Sequence, residues 1–214
     1  MSKVRFQQAI SLDGYSAGPD QREEEPLGTG GEALHEWMFG LEAWLRPHGK
    51  EGGEVNASTP VVEELESGYG ARVMGRNMFG PVGGGDWGDG SWKGWWGDNP
   101  PYHTPVFVLT HHPRDPLEME GDTTFHFVTD GIESAIERAR DAAGDGDVLI
   151  AGGASTIQQA LTAGLVDEFL LSISPLLLGG GERPLDGVGP DLELEQLEAI
   201  EAPGVTHLRY RVLK

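Results

Sequence analysis

Short apolar runs alternate with amphipathic segments along most of the chain, and this pattern predicts strands and helices in turn. Six segments are predicted to be strands: residues 3–10, 71–75, 105–110, 124–128, 147–151 and 167–174. Four segments are predicted to be helices: residues 32–45, 59–67, 130–143 and 154–163. Between residues 59 and 174 strands and helices alternate, which is typical of right-handed crossovers and a mainly parallel sheet.

The end of the chain follows a different pattern. Residues 192–199 and 205–212 predict two antiparallel strands that turn around Ala202, Pro203 and Gly204. No internal linker divides the sequence. We therefore expect residues 1–214 to form a single α/β domain, with a mixed, mainly parallel sheet, flanking helices and an antiparallel C-terminal hairpin.

Two predicted helices have identifiable local signals. In residues 32–45 the apolar side chains recur at helical spacing, namely Leu34, Trp37, Met38, Leu41 and Leu45. Residues 130–143 begin with Asp130, a residue type that favours the N-cap position. The sequence thus predicts one continuous helix over 32–45 and a carboxylate cap at Asp130.

Residues 80–104 form a loop that is unusually long for a compact domain, and such loops tend to be functional. The segment is rich in glycine and contains Trp87, Trp92, Trp95, Trp96 and Tyr102. These rings are suited to forming the wall of a site for a flat aromatic substrate. They are equally suited to anchoring the loop on the domain, and the sequence leaves both alternatives open.

The charge balance limits the partners of this protein. The chain of 214 residues has 35 acidic and 15 basic residues, a net charge of -20 with neutral histidines. Such a surface repels nucleic-acid phosphates and anionic membranes, so neither is an expected partner. Cysteine is absent, and the N-terminus leads directly into strand-like sequence without a signal-peptide pattern. A cytoplasmic protein is therefore expected.

The segment from Val148 to Thr156 is the sharpest candidate for a binding site. A buried strand ends in Gly152 and Gly153, and a helix follows at once. Glycines allow the backbone to approach a ligand closely, and a helix N-terminus favours anionic oxygens. A plain strand-to-helix turn would have the same local pattern, so both interpretations remain open at this point.

Two further turns follow predicted strands. Gly75, Arg76 and Asn77 repeat the strand–glycine–helix pattern, and Arg76 is suited to binding a phosphate. If the sheet is parallel, this turn opens on the same edge as the turn at Gly152. The first strand is followed by Asp13 and Gly14, a pair that commonly forms turns.

Together these segments resemble the dihydrofolate reductase-like superfamily. More specifically, the chain is similar to the RibD C-terminal domain family, the reductase part of a bifunctional riboflavin-biosynthesis deaminase/reductase. The resemblance rests on SLDGYSAGP at residues 11–19, ARVMGRNMF at residues 71–79, and the long stretch at residues 148–185. A deaminase domain is not expected, because the chain lacks the cysteines of its zinc site.

The resemblance implies an NADPH-dependent reductase of a small heterocycle, of the pyrimidine or pterin kind, similar to 5-amino-6-(5-phosphoribosylamino)uracil reductase. Alternatives are an NADPH-binding protein without turnover and a true dihydrofolate reductase. The cofactor-binding residues that the resemblance implies are Ala9, Ser16, Ala17, Gly18, Gly75, Arg76, Asn77, Thr110, Gly152, Gly153, Ala154, Ser155 and Thr156. Within this set, Arg76 is expected to face the 2′-phosphate.

The resemblance also suggests the catalytic groups and the oligomeric state. Dihydrofolate reductases have a carboxylate early in the first helix, where this chain offers Glu32 and Glu36. Asp13 and Glu36 are the expected catalytic residues. A homodimer is expected, because the segment with Leu170, Leu171, Ile173 and residues 176–178 is more apolar than one sheet face requires.

Other motifs carry less weight. Residues 28–33 fit a dinucleotide-binding glycine pattern but follow an acidic loop instead of a strand. His103, His111, His112 and His126 match no closed zinc spacing, so no metal is expected.

Overall fold

The computed structural model describes residues 2–83 and 85–214, so that Met1 and Gly84, the latter within the long loop, lie outside it. The strands are β1 (Val4–Ser11), β2 (Tyr69–Gly75), β3 (Pro105–Leu109), β4 (Leu117–Glu118), β5 (Thr124–Val128), β6 (Asp147–Gly152), β7 (Glu168–Ser174), β8 (Leu194–Ala202) and β9 (Val205–Val212). The α-helices are α1 (Glu36–Phe39), α2 (Glu42–Leu45), α3 (Thr59–Glu66), α4 (Arg76–Phe79), α5 (Ile132–Ala143) and α6 (Ala154–Thr162).

The strands form one nine-stranded sheet in the order β4-β5-β3-β2-β6-β1-β7-β9-β8. All pairings from β5 to β7 are parallel. The pairings of β4, β9 and β8 with their neighbours are antiparallel. The predicted fold class is therefore confirmed, including the C-terminal hairpin; the short strand β4 was not predicted.

The two faces of the sheet are covered differently. On one face α5 and α6 pack on a large core with Phe6, Ile150 and Ile157. On the other face Met74, Val106 and Phe125 pack against the long loop, and α1 to α3 cover the region beside it. Because successive side chains of a strand alternate between faces, the strands divide their apolar residues between these clusters.

The prediction of a continuous helix over residues 32–45 is wrong. A 3-10 helix at Gly31–His35 is followed by α1 and α2, with a break at Gly40 and Leu41. The backbone N–H of Glu42 donates to the carbonyl of Glu54 at 2.9 Å, and that of Glu54 donates to the carbonyl of Gly40 at 2.8 Å. This pairing with a distant segment replaces the helical hydrogen bonds at the break.

The prediction of an Asp130 cap is also wrong. The N-cap of α5 is Gly131. The carboxylate of Asp130 instead accepts a hydrogen bond from the Arg138 guanidinium at 2.6 Å. A charged partner two turns along the helix thus takes the oxygen that capping would have used.

The apolar segment on which the dimer prediction depends is largely buried within the chain. Leu170 is 1% exposed and Leu171 is 6% exposed. Leu177 is 70% exposed, and the edge strand β8 is exposed along most of its length. The homodimer stays a prediction. The feature that supports it is the exposed edge strand β8, and not the buried strand β7. No helix in residues 2–83 and 85–214 is long and apolar enough to cross a membrane.

Candidate functional site

A cleft of about 780 Å³ opens where β1, β2, β3 and β6 end at the carboxyl edge of the sheet, and it continues over the face covered by α1 and α3. Ligands of open α/β sheets collect at this edge, because loops and helix N-termini diverge there. The cleft therefore lies where the strand order predicts a binding site.

The turn between β6 and α6 lines the cleft. Gly152 has φ +119°, a conformation that favours glycine, and a Cβ at Gly153 would meet nothing within 4 Å. The N–H groups of Thr156 and Ile157 donate to the carbonyl of Gly153 at 3.0 and 3.2 Å. The N–H groups of Ala154 and Ser155, the first two of the helix, have no partner within it. A ligand can thus approach this backbone closely.

The turn between β2 and α4 lies directly beside it. A Cβ at Gly75 would be 2.5 Å from the Thr156 hydroxyl oxygen, so the two turns are in close contact. Gly75, Arg76 and Asn77 line the cleft together with the β6–α6 turn, Ala154, Ser155 and Thr156 included. The structure therefore brings together the two strand–glycine–helix segments found in the sequence.

The Arg76 side chain is already held by the long loop. Its guanidinium donates to the carbonyls of Gly80 and Pro81, and Cζ lies 4.0 Å from the centroid of the Trp87 ring. Burial, followed by the nearby Arg114 charge, lowers the pKa of Arg76 from its usual value. Arg76 is thus a fixed, partly desolvated cation on the wall of the cleft.

The remaining predicted cofactor residues fall into two groups. Ala9, Ser16, Ala17 and Thr110 line the cleft. Gly18 does not, because it is packed on a neighbouring loop, where an added Cβ would lie 2.1 Å from the Thr29 carbonyl oxygen. Gly18 supports the loop that holds Ser16 and Ala17.

Neither predicted catalytic carboxylate lines the cleft. Asp13 accepts hydrogen bonds from the Ser11 hydroxyl and from the N–H groups of Leu178 and Gly179, the latter two at 3.1 and 2.8 Å. The Ser11 hydrogen bond, supported by these N–H groups, lowers the pKa of Asp13 to about 2. Glu36 is exposed at the start of α1. Their catalytic roles stay predictions, and the contacts of Asp13 favour a structural role.

The part of the cleft over the sheet face is here called the inner chamber, and it combines aromatic residues of the long loop with residues that were not predicted to line a site. It is lined by Gln7, His35, Trp37, Met38, Val61, Leu65, Trp95, Trp96, Tyr102 and Ser172. Gln7 and Ser172 are polar residues on strands that otherwise face a core. Together with the aromatic residues of the long loop, such residues are the sequence signal that indicates this chamber.

A buried polar chain adjoins the inner chamber. The His207 ring nitrogens lie 2.8 Å from the Ser58 hydroxyl at Nε2 and 2.8 Å from the Ser172 hydroxyl at Nδ1. His207 is 1% exposed. Burial, followed by the Arg209 charge, lowers the pKa of His207 to about 4. A neutral imidazole therefore orients the Ser172 hydroxyl at the chamber wall.

The tryptophans of the long loop anchor it on the domain, and their role as the wall of a substrate site stays a prediction. The Trp92 and Trp95 indole N–H groups donate to the carbonyls of Phe79 and Met78 at 2.9 and 3.0 Å, and that of Trp87 donates to His112 at 2.9 Å. These bonds anchor the loop on α4 and on the segment after β3. Three aromatic residues of this loop also line the chamber, namely Trp95, Trp96 and Tyr102.

Comparison with known proteins agrees with this arrangement. The model of the RibD C-terminal domain family matches residues 2–207. An uncharacterized protein of Bacillus subtilis strain 168, YyaP, is 40% identical over 92 residues, which are 41% of this chain and 48% of that protein. The match thus spans about half the length of this curated relative.

Solved structures share the fold at low sequence identity. A Shewanella sp. PV-4 protein provisionally assigned to riboflavin biosynthesis has TM-score 0.66, 23% identity and full coverage of both chains. The deaminase/5-amino-6-(5-phosphoribosylamino)uracil reductase of Thermotoga maritima has TM-score 0.58 and 15% identity, covering 99% of this chain and 57% of that one. An Enterococcus faecalis dihydrofolate reductase complexed with NADP(H) has TM-score 0.52 and 13% identity, and the match covers 99% of this chain and 97% of that one.

These neighbours confirm the dihydrofolate reductase-like fold. The family match covers nearly the whole chain, including the turns at Gly75 and Gly152. The chain belongs to the RibD C-terminal domain family.

Proposed function

We propose that this protein is an NADPH-dependent reductase that acts on a small heterocycle of the pyrimidine or pterin kind. The observation that carries the proposal is the single cleft in which a glycine turn at a helix N-terminus adjoins an aromatic-walled chamber. Membership in the RibD C-terminal domain family supports it. The NADP(H) present in the Enterococcus dihydrofolate reductase structure supports the choice of cofactor class.

The cofactor end of the cleft fits a dinucleotide. Gly153 leaves open space where any larger residue would place its side chain. The free N–H groups at the start of α6 suit pyrophosphate oxygens, because the helix dipole favours negative charge there. Arg76 supplies a cation for a 2′-phosphate. When bound, NADPH supplies a hydride.

The inner chamber would hold the heterocycle against the nicotinamide. Its aromatic and aliphatic walls exclude water, which strengthens the polar contacts that remain. The Ser172 hydroxyl, held by His207, would orient a polar group of the substrate or a water molecule that delivers the proton. No carboxylate is among the described residues that line the inner chamber, so the chain itself offers no acid of the dihydrofolate reductase kind there.

Thermal melts and NADPH oxidation test the proposal. We expect NADPH to raise the melting temperature, and we expect oxidation of NADPH with at least one member of a panel of pterins and pyrimidines. Protection without any oxidation would instead favour a binding protein that lacks turnover. If NADPH gives no protection, the cofactor assignment is wrong.

A further inference from the structure

The inner chamber differs in charge from the cofactor end of the cleft. We propose that the substrate is a planar heterocycle without a phosphate group, which this chamber holds by stacking and by neutral hydrogen bonds. This inference rests on the proposed reductase function and narrows its substrate class. It distinguishes the chain from the Thermotoga neighbour, whose name specifies a phosphoribosyl substrate.

No lysine or arginine is among the described residues of the inner chamber. The cleft's arginine, Arg76, lies at the cofactor end, where the Gly80 and Pro81 carbonyls and the Trp87 ring already contact it. The carboxylate residue among the described lining residues of the whole cleft is Glu182. A phosphate monoester carries nearly two negative charges at neutral pH, and its burial without a cation is costly.

Arg72 is a buried arginine that contacts two residues of the chamber wall but does not itself line the cleft. Its guanidinium donates to the carbonyl of Leu65 at 3.1 Å. Cζ lies 5.9 Å from the Tyr69 ring centroid and 5.5 Å from that of Tyr102. Leu65 and Tyr102 line the chamber whereas Arg72 does not, so the guanidinium lies behind this wall.

The net charge of the chain adds to the same preference. With -20 charges, the protein repels a phosphorylated small molecule before it reaches the cleft. The same repulsion opposes the binding of an anionic cofactor, but Arg76 and the α6 N-terminus offset it at the cofactor end of the cleft. The described residues of the inner chamber supply no comparable positive charge to a phosphate.

What the chamber does offer suits an uncharged ring. The Trp37 and Trp95 indole N–H groups are bonded to the carbonyls of Leu34 and Met78 at 2.9 and 3.0 Å, so these residues present apolar surface. The Ser172 hydroxyl, which lies 2.8 Å from His207 Nδ1, is a neutral polar group at the chamber wall. An uncharged ring can form a hydrogen bond with this hydroxyl without the burial of a charge.

Matched substrate pairs test the proposal. The probes are 5-amino-6-ribosylaminouracil with its 5′-phosphate, and dihydroneopterin with its monophosphate. Thermal protection of the NADP+-loaded protein measures binding, and NADPH oxidation measures turnover. For at least one pair we expect the unphosphorylated member to bind at least about tenfold more tightly, a difference of about 1.4 kcal/mol.

The two readouts separate this inference from the proposed function. Preferential protection by an unphosphorylated member supports the inference even if no compound is reduced, in which case the reductase proposal fails alone. Reduction of a phosphorylated member at equal or better efficiency overturns the inference and retains the reductase. Absence of protection by all four compounds overturns the inference as well.

A charge-insertion pair tests the physical cause. Trp96 lines the chamber and is 46% exposed, so its replacement need not disturb the core. Trp96→Arg adds a cation, and Trp96→Gln removes the same ring without adding charge. We expect the preference for the unphosphorylated member to fall at least about threefold in Trp96→Arg relative to Trp96→Gln. An equal preference in both variants would contradict the electrostatic explanation.

Discussion

His207 gives the sharpest prediction about stability. Its imidazole is enclosed between the Ser58 and Ser172 hydroxyls. It lies edge-on to the Trp37 ring, with 4.9 Å between the two ring centroids. The positive Arg209 side chain is close enough to disfavour a second positive charge. Protonation in the folded state is therefore costly, whereas the unfolded chain accepts the proton freely.

The magnitude follows from the two pKa values. The pKa of His207 is about 4 in the folded protein, against 6.5 for an exposed imidazole. Between these values the unfolded state binds the extra proton, so the free energy of unfolding falls as the pH is lowered. Each unit of pKa difference corresponds to about 1.4 kcal/mol, which gives a loss of about 3 kcal/mol by pH 4.

Urea denaturation of wild type and His207→Gln between pH 7.5 and pH 4 measures this effect. At pH 7.5 the variant should be less stable by about 1–2 kcal/mol, because packing and hydrogen bonds are lost. Its stability should then depend less on pH, so that the gap closes or reverses near pH 4. His48→Gln, which removes an exposed imidazole, is the control. Parallel stability curves for wild type and His207→Gln would refute the reasoning.

The cofactor site and the oligomeric state give further predictions. Gly153→Val should abolish NADPH protection in a melt while circular dichroism remains native, and unchanged protection would show that the dinucleotide does not contact this turn. Arg76→Ala should weaken NADPH binding in calorimetry by about 1–3 kcal/mol and leave NADH binding nearly unchanged; equal losses would contradict a 2′-phosphate contact. Light scattering should show a dimer whose share rises or stays complete with added salt, since salt screens the repulsion of two chains of charge -20; a mass near 23.0 kDa at every salt concentration would exclude it.

The sheet was predictable because its information is local. Alternating apolar and amphipathic segments locate β2, β3, β5 and β6 in the sequence. The helices between β5, β6 and β7 indicate crossover connections, which join parallel strands. The glycine turns that follow β2 and β6 were predictable for the same reason. Each is a short contiguous pattern whose physical consequence does not depend on distant residues.

The polar chain beside the inner chamber was not predictable in this way. The polar chain joins Ser58, Ser172 and His207, which lie on α3's N-terminus, β7 and β9 and are far apart in sequence. The break between α1 and α2 likewise depends on hydrogen bonds to Glu54. Such features arise only when the fold brings distant segments together, so a local pattern contains no trace of their pairing.

The measurement that tests the central claim most directly is a crystal structure of this protein with NADPH. We predict that the nicotinamide lies against Gly153 and Ala9 at the border of the inner chamber. The 2′-phosphate should lie within hydrogen-bonding distance of the Arg76 guanidinium. Well-diffracting crystals grown at saturating NADPH in which the cofactor binds elsewhere, or in which the β6–α6 turn contacts no part of it, would contradict the account.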